Sequence, residues 1–101
     1  MKTKLLICEL ERTIQYYQRP DADFVWSRYN SAQEAISDMN RIISALMRGE
    51  AHVLEDIKKL FAPTGCAQEI SLNSGWAYEY LEIAELVDRL VMQIHNDYCN
   101  P

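Results

Sequence analysis

The sequence predicts an all-α fold, a small four-helix bundle with an irregular loop between helices three and four. Three observations carry that expectation. Apolar residues recur every three to four positions in four separate segments, the spacing of one buried helix face. These segments are punctuated by Arg19-Pro20-Asp21, Arg48-Gly49 and Pro63-Thr64-Gly65, residues that stop helices or turn the chain. The one period-two run, Ile70 and Leu72 set among Glu69, Ser71 and Asn73, is too short for a stable sheet.

The first helix is expected over about Thr3 to Gln18, with Leu6, Ile7, Leu10, Ile14 and Tyr17 inward and Glu9, Glu11, Arg12 and Gln15 off that face. Asp21 to Asn30 has no clear period and leaves its conformation open. Ser31-Ala32-Gln33-Glu34 fits a capping box and starts the second helix, whose apolar face is Ala32, Ala35, Ile36, Met39, Ile42, Ile43, Leu46 and Met47. Gly49 suits its end. A third helix, about Glu50 to Phe61, turns Val53, Leu54, Ile57, Leu60 and Phe61 inward and stops before Pro63. The connector Ala62 to Asn73 reads as an extended segment pinned by Ile70 and Leu72, with Cys66, Gln68 and Glu69 outward. The fourth helix, about Gly75 to Asn96, is capped by Asn73 or Ser74 and carries Trp76, Tyr80, Ile83, Ala84, Val87, Leu90, Val91 and Ile94 on one wide stripe.

Size and composition fit one folded domain, residues 1–101, able to bury roughly two-thirds of the surface of its unfolded chain. Asp plus Glu number 15 against 10 Lys plus Arg, a net charge of −5. Such a surface repels a phosphate backbone and attracts a basic protein partner, so direct nucleic-acid binding is not expected. The uncharged apolar run Leu5 to Cys8 is shorter than the about 7 to 15 residues of a secretory signal, and no run approaches the about 20 needed to span a bilayer. A cytoplasmic protein without a membrane role is the expectation. Cys8, Cys66 and Cys99 are odd in number and widely spaced, which fits reduced thiols.

The run LFAPTGCAQEISLNSGWAYEYLEIAEL, Leu60 to Leu86, contains Pro63-Thr64-Gly65, Gln68-Glu69-Ile70-Ser71-Leu72 and Gly75-Trp76 followed by Glu79-Tyr80-Leu81. In these elements it resembles small acidic bacterial immunity-type helical proteins. The resemblance spans about a quarter of the chain. It implies an inhibitor that binds a partner, and it assigns no individual functional residue.

The residues give a matching candidate surface. Leu81, Glu85, Asp88 and Met92 fall at i, i+4, i+7 and i+11 beside the core stripe of the fourth helix, with Tyr78 and Glu82 adjacent and Glu69 on the preceding connector. Carboxylates there would meet Lys or Arg while Tyr78, Leu81 and Met92 supply desolvated contact area. The alternative is a solvated face whose Glu85 and Arg89 pair at i, i+4. The same apolar strip can serve a homodimer. Trp76 and Tyr80 belong to the core stripe, leaving Tyr16, Tyr29 and Tyr78 as the expected exposed aromatics.

Catalytic signals are sparser. Arg89 and His95 match the Arg-x(4-6)-His spacing of HEPN ribonucleases, but six helical steps set them about 120° apart, and Leu90 stands where that family has a polar residue. His52 opens a helix, as in phosphotransfer domains, yet Glu55 and Asp56 occupy the positions where those domains have Lys and Gly. His95 and Cys99 supply two positions of a zinc site and no second pair follows. Glu79 and Glu82 fit a helix N-terminus better than acid–base chemistry. The expectation is an acidic binding protein, not an enzyme, needing neither cofactor nor metal; the alternative is a HEPN-like ribonuclease using Arg89 and His95.

Overall fold

The computed structural model of the chain describes residues 2–19, 29, 31–62 and 65–99. These form five helices: α1 (Lys2–Tyr17), α2 (Ala32–Met47), α3 (Val53–Leu60), α4 (Cys66–Ser74) and α5 (Ala77–Cys99). No strand occurs among the described residues, and the fold is all-α. Four of the helices are those expected from periodicity. Apart from Tyr29, the Asp21 to Asn30 stretch lies outside the described residues.

Each helix forms where its pattern and ends agree. On α1, Leu6, Ile7, Leu10 and Tyr17 are buried. Thr13 joins them because its hydroxyl donates to the Glu9 carbonyl at 3.0 Å, which removes the cost of burying it. Ser31 is extended at the N-cap of α2, and its Oγ accepts from the Glu34 N–H at 3.3 Å. The helix ends at Arg48, followed by Gly49 at φ 76°. On α2 the buried set is Ala35, Met39, Ile42, Ile43, Ala45 and Leu46. Met47, expected inward, is 71% exposed, because it sits at the last turn where no neighbour covers it. All five residues expected inward on the third helix, from Val53 to Phe61, are buried.

The connector is where the structure departs from expectation. Residues 66–74 are a helix, α4, in place of an extended segment. The buried positions Ala67, Ile70, Ser71 and Ser74 follow i, i+3, i+4 and i+7, a helical stripe hidden from an apolar pattern because two of its four members are serines. Ser71 is tolerated there since its Oγ donates to the Gln68 carbonyl at 2.7 Å. Ile70 is fully buried as expected, but Leu72 faces outward at 54% exposure. Asn73 and Ser74 therefore lie inside α4, and the last helix begins only at Ala77. Gly75 ends α4 at φ 83°, a left-handed conformation that glycine adopts without a Cβ penalty.

Neighbour relations place α1, α2, α3 and α5 in cyclic order: α1 packs on α2 and α5, and α3 packs on α2 and α5. Helices α2 and α5 are diagonal and make no close backbone approach. The short α3 covers only part of its corner, and α4 extends it by packing on both α3 and α5. Lys2 Nζ pairs with Asp97 at 3.0 Å and Arg12 with Glu82 at 3.7 Å, so α1 and α5 run antiparallel.

An aromatic cluster closes one end. Trp76, in the turn between α4 and α5, is fully buried and lies stacked against Tyr16 at 4.6 Å and edge-on to Tyr17 and Tyr80, each at 6.2 Å. Phe61 stacks on Tyr80 at 5.9 Å, and the Tyr80 hydroxyl donates to the Phe61 carbonyl at 3.2 Å. Burial first and the nearby Asp88 carboxylate second push the Tyr80 hydroxyl pKa upward, so it stays a donor at any ordinary pH. Two tyrosines expected outside are at least partly covered. Tyr16 is half-covered by Trp76, and Tyr29 is buried with its hydroxyl donating to Asp38 at 2.6 Å. For Tyr16 the cover comes from a residue sixty positions away.

Candidate functional site

Helix α5 has two apolar sides. The inner side, Tyr80, Ile83, Val87, Leu90, Val91 and Ile94, is buried against the other helices. On its outer side Tyr78, Leu81 and Met92 are 87%, 61% and 64% exposed. From Tyr78 to Met92 the strip spans about 21 Å of helix. None of the three belongs to the buried core cluster, and helical spacing sets the strip well round the helix from the buried stripe. Leu86, 38% exposed, lies between the two sides.

The acids of the strip divide. Glu82 lies about 100° round the helix from Leu81 and turns toward α1, where Arg12 Nη2 approaches it at 3.7 Å. Glu85 meets Arg89 at 3.4 Å within α5. Both contacts are exposed and longer than a charge-assisted hydrogen bond, so each contributes little and is readily exchanged. Asp88 makes no ion pair among the described residues, and partial burial raises its carboxyl pKa. Side-chain accessibility is thus retained at Glu82, Glu85 and Asp88 together, although only Glu85 and Asp88 share the outer strip with Leu81 and Met92. Glu69 sits on α4, and its side chain lies outside those described.

No protein family, curated protein or solved structure matches the chain.

The other residues singled out by pattern do not converge. Helix α5 is unbroken from Arg89 to His95, which keeps these side chains about 120° apart within one chain. Arg89 is instead paired with Glu85. His52 is exposed before α3, 3.6 Å from Glu50, whose carboxyl pKa is lowered chiefly by the hydrogen bond from Arg48. Cys8 is exposed and free. Among the described residues no group of three or more His, Cys, Asp or Glu side chains is placed to hold a metal ion, and no helix is long and apolar enough to cross a membrane.

Two concavities were not anticipated. One, of about 370 Å³, is lined by Tyr29, Glu34, Ser37 and Asp38, and its Asp38 is already engaged by Tyr29 and by Arg41 at 2.9 Å. The other, of about 220 Å³, is lined by Arg12, Gln15, Tyr16 and Arg19 at the end of α1. Helical spacing of Arg12, Tyr16 and Arg19 at i, i+4 and i+7 was a signal for a shared face. It was obscured because Arg12 and Gln15 read as plain solvent-facing residues.

Proposed function

We propose that this chain is a protein-binding module that occludes a basic partner with the outer side of α5. The carrying observation is the exposure of Tyr78, Leu81 and Met92 on one helix whose opposite side is already buried. Scattered exposed apolar residues are ordinary, but three large ones along a single helix face, interleaved with Glu85 and Asp88, make a surface suited to another protein. Between residues 79 and 89 four carboxylates face one cation, Arg89. That imbalance steers a basic surface inward and opposes pairing with a second, equally acidic copy.

Binding here needs no reaction, cofactor or metal. The partner's Lys or Arg would replace Arg89 at Glu85 and Arg12 at Glu82, while its apolar groups cover Leu81, Met92 and Tyr78. Inhibition follows if the covered surface is the partner's own working site. This is the mode of an immunity-type protein that blocks a basic toxin in a bacterial cytoplasm, and the resemblance over Leu60 to Leu86 supports that setting. The test is capture of a cognate basic protein by the wild type and by a Glu82→Lys, Glu85→Lys, Asp88→Lys variant at low and high salt. Loss of capture in the variant, with salt-sensitive wild-type binding, is the expected result. Equal capture by both would remove α5 as the surface.

A further inference from the structure

The cleft at the end of α1 lies apart from the outer strip of α5 and gathers cations in a chain whose balance is acidic. Arg19 lies over the Tyr16 ring at 4.9 Å, and Tyr16 is itself stacked on the fully buried Trp76. The guanidinium is thereby anchored through two aromatic layers to the core, which lowers the ordering cost of binding through it. Arg19 has no carboxylate partner among the described residues. Arg12, one helical face along, reaches Glu9 at 3.5 Å and Glu82 at 3.7 Å, both beyond the length of a strong charge-assisted bond. Gln15, which also lines the cleft, adds an amide donor group.

From this geometry we propose that the Arg12, Gln15, Tyr16 and Arg19 cleft is a binding site for a phosphate group. Two guanidiniums match the charge of a phosphate dianion, and their planar forks suit its oxygens. The cleft of about 220 Å³ is smaller than the roughly 300 to 1,000 Å³ of drug-sized sites, which suits a small anionic group. Entry displaces Glu82 from Arg12, an exposed contact that costs little to break. Glu82 is thus a competitor for the site.

The experiment is a titration of the isotope-labelled full chain with inorganic phosphate, and separately with phenyl phosphate, at constant ionic strength against chloride, followed by NMR. Saturable shifts at the Arg12 and Arg19 Nε–H groups and the Gln15 amide are expected. Arg19→Lys should weaken binding about tenfold, since an ammonium lacks the fork. Glu82→Gln should strengthen it. Tighter binding of phenyl phosphate assigns the group to an organic ester, and tighter inorganic phosphate to the free ion. Shifts that are linear, that chloride reproduces, or that survive both Arg12→Lys and Arg19→Lys overturn the site. Leu81→Ser and Met92→Ser should leave phosphate binding unchanged, which separates this result from the fate of the α5 surface.

Discussion

The inner and outer sides of α5 draw on similar side chains and meet opposite fates. Ile83 and Val87 are fully buried, whereas Leu81 and Met92, within a turn or two, are more than half exposed. The residue types do not explain the difference; the neighbours do. Helices α1, α3 and α4 pack on α5 and bury one side of it, while Leu81 and Met92 on the other stay exposed. Whether an apolar residue on a helix is covered is therefore decided by its neighbours and not by its type.

The comparison breaks first on the inner side. Trp76→Ala, at the mouth of the cluster on which that side rests, should destabilise by about 3 to 5 kcal/mol, and Ile83→Ala by about 2 to 5 kcal/mol, in chemical denaturation. Next is Gly65→Ala, since a Cβ there would lie 2.5 Å from the carbonyl oxygens of Lys59 and Leu60. Backbone must shift to admit it, and a loss of about 1 to 3 kcal/mol is expected. Tyr80→Phe removes the hydroxyl that reaches Phe61 and should cost about 1 kcal/mol, read in the same way.

The outer side should behave differently. Leu81→Ser should change stability by no more than about 0.5 kcal/mol while reducing capture of a basic partner. A large loss of stability there would show that Leu81 is structural and that the two sides are alike. The smallest effect belongs to Asp88. Its carboxyl pKa is raised in the folded protein, so the native state holds the proton more tightly than the unfolded chain. That favours folding at acid pH and is lost as pH rises through the raised value. Asp88→Asn should therefore stabilise slightly near neutrality, with the difference shrinking as pH falls below the ordinary Asp range. Denaturation midpoints of both proteins across that range check the sign.

A second contrast, between α2 and α4, explains what was legible in the residues. Helix α2 has a buried stripe almost wholly of aliphatic and methionine side chains and a Ser31 cap, and its predicted and observed spans agree. Helix α4 has Ala67, Ile70, Ser71 and Ser74 inward, so half of its stripe is polar and the pattern of Ile70 and Leu72 suggested an extended chain. The serines become acceptable only once the helix exists, because Ser71 then reaches the carbonyl of Gln68. The outer strip of α5 was legible for the same reason as its core: a long helix fixes the angular position of every side chain. The Arg12 to Arg19 cleft was not, since it depends on Tyr16 being stacked on Trp76, sixty residues away.

By periodicity and punctuation alone the chain specified its helical class, the spans of α1 and α2, the course of α5, the existence and inward face of α3 though not its start at Val53, and most of the buried residues, because helical geometry is local and turns spacing into a face. Tertiary packing decided the cyclic order of α1, α2, α3 and α5, the placement of α4 against α3 and α5, and which of Tyr16, Tyr29, Met47 and Leu72 would be covered. Cover is supplied by atoms far away along the chain, and local spacing carries no information about where those atoms will be.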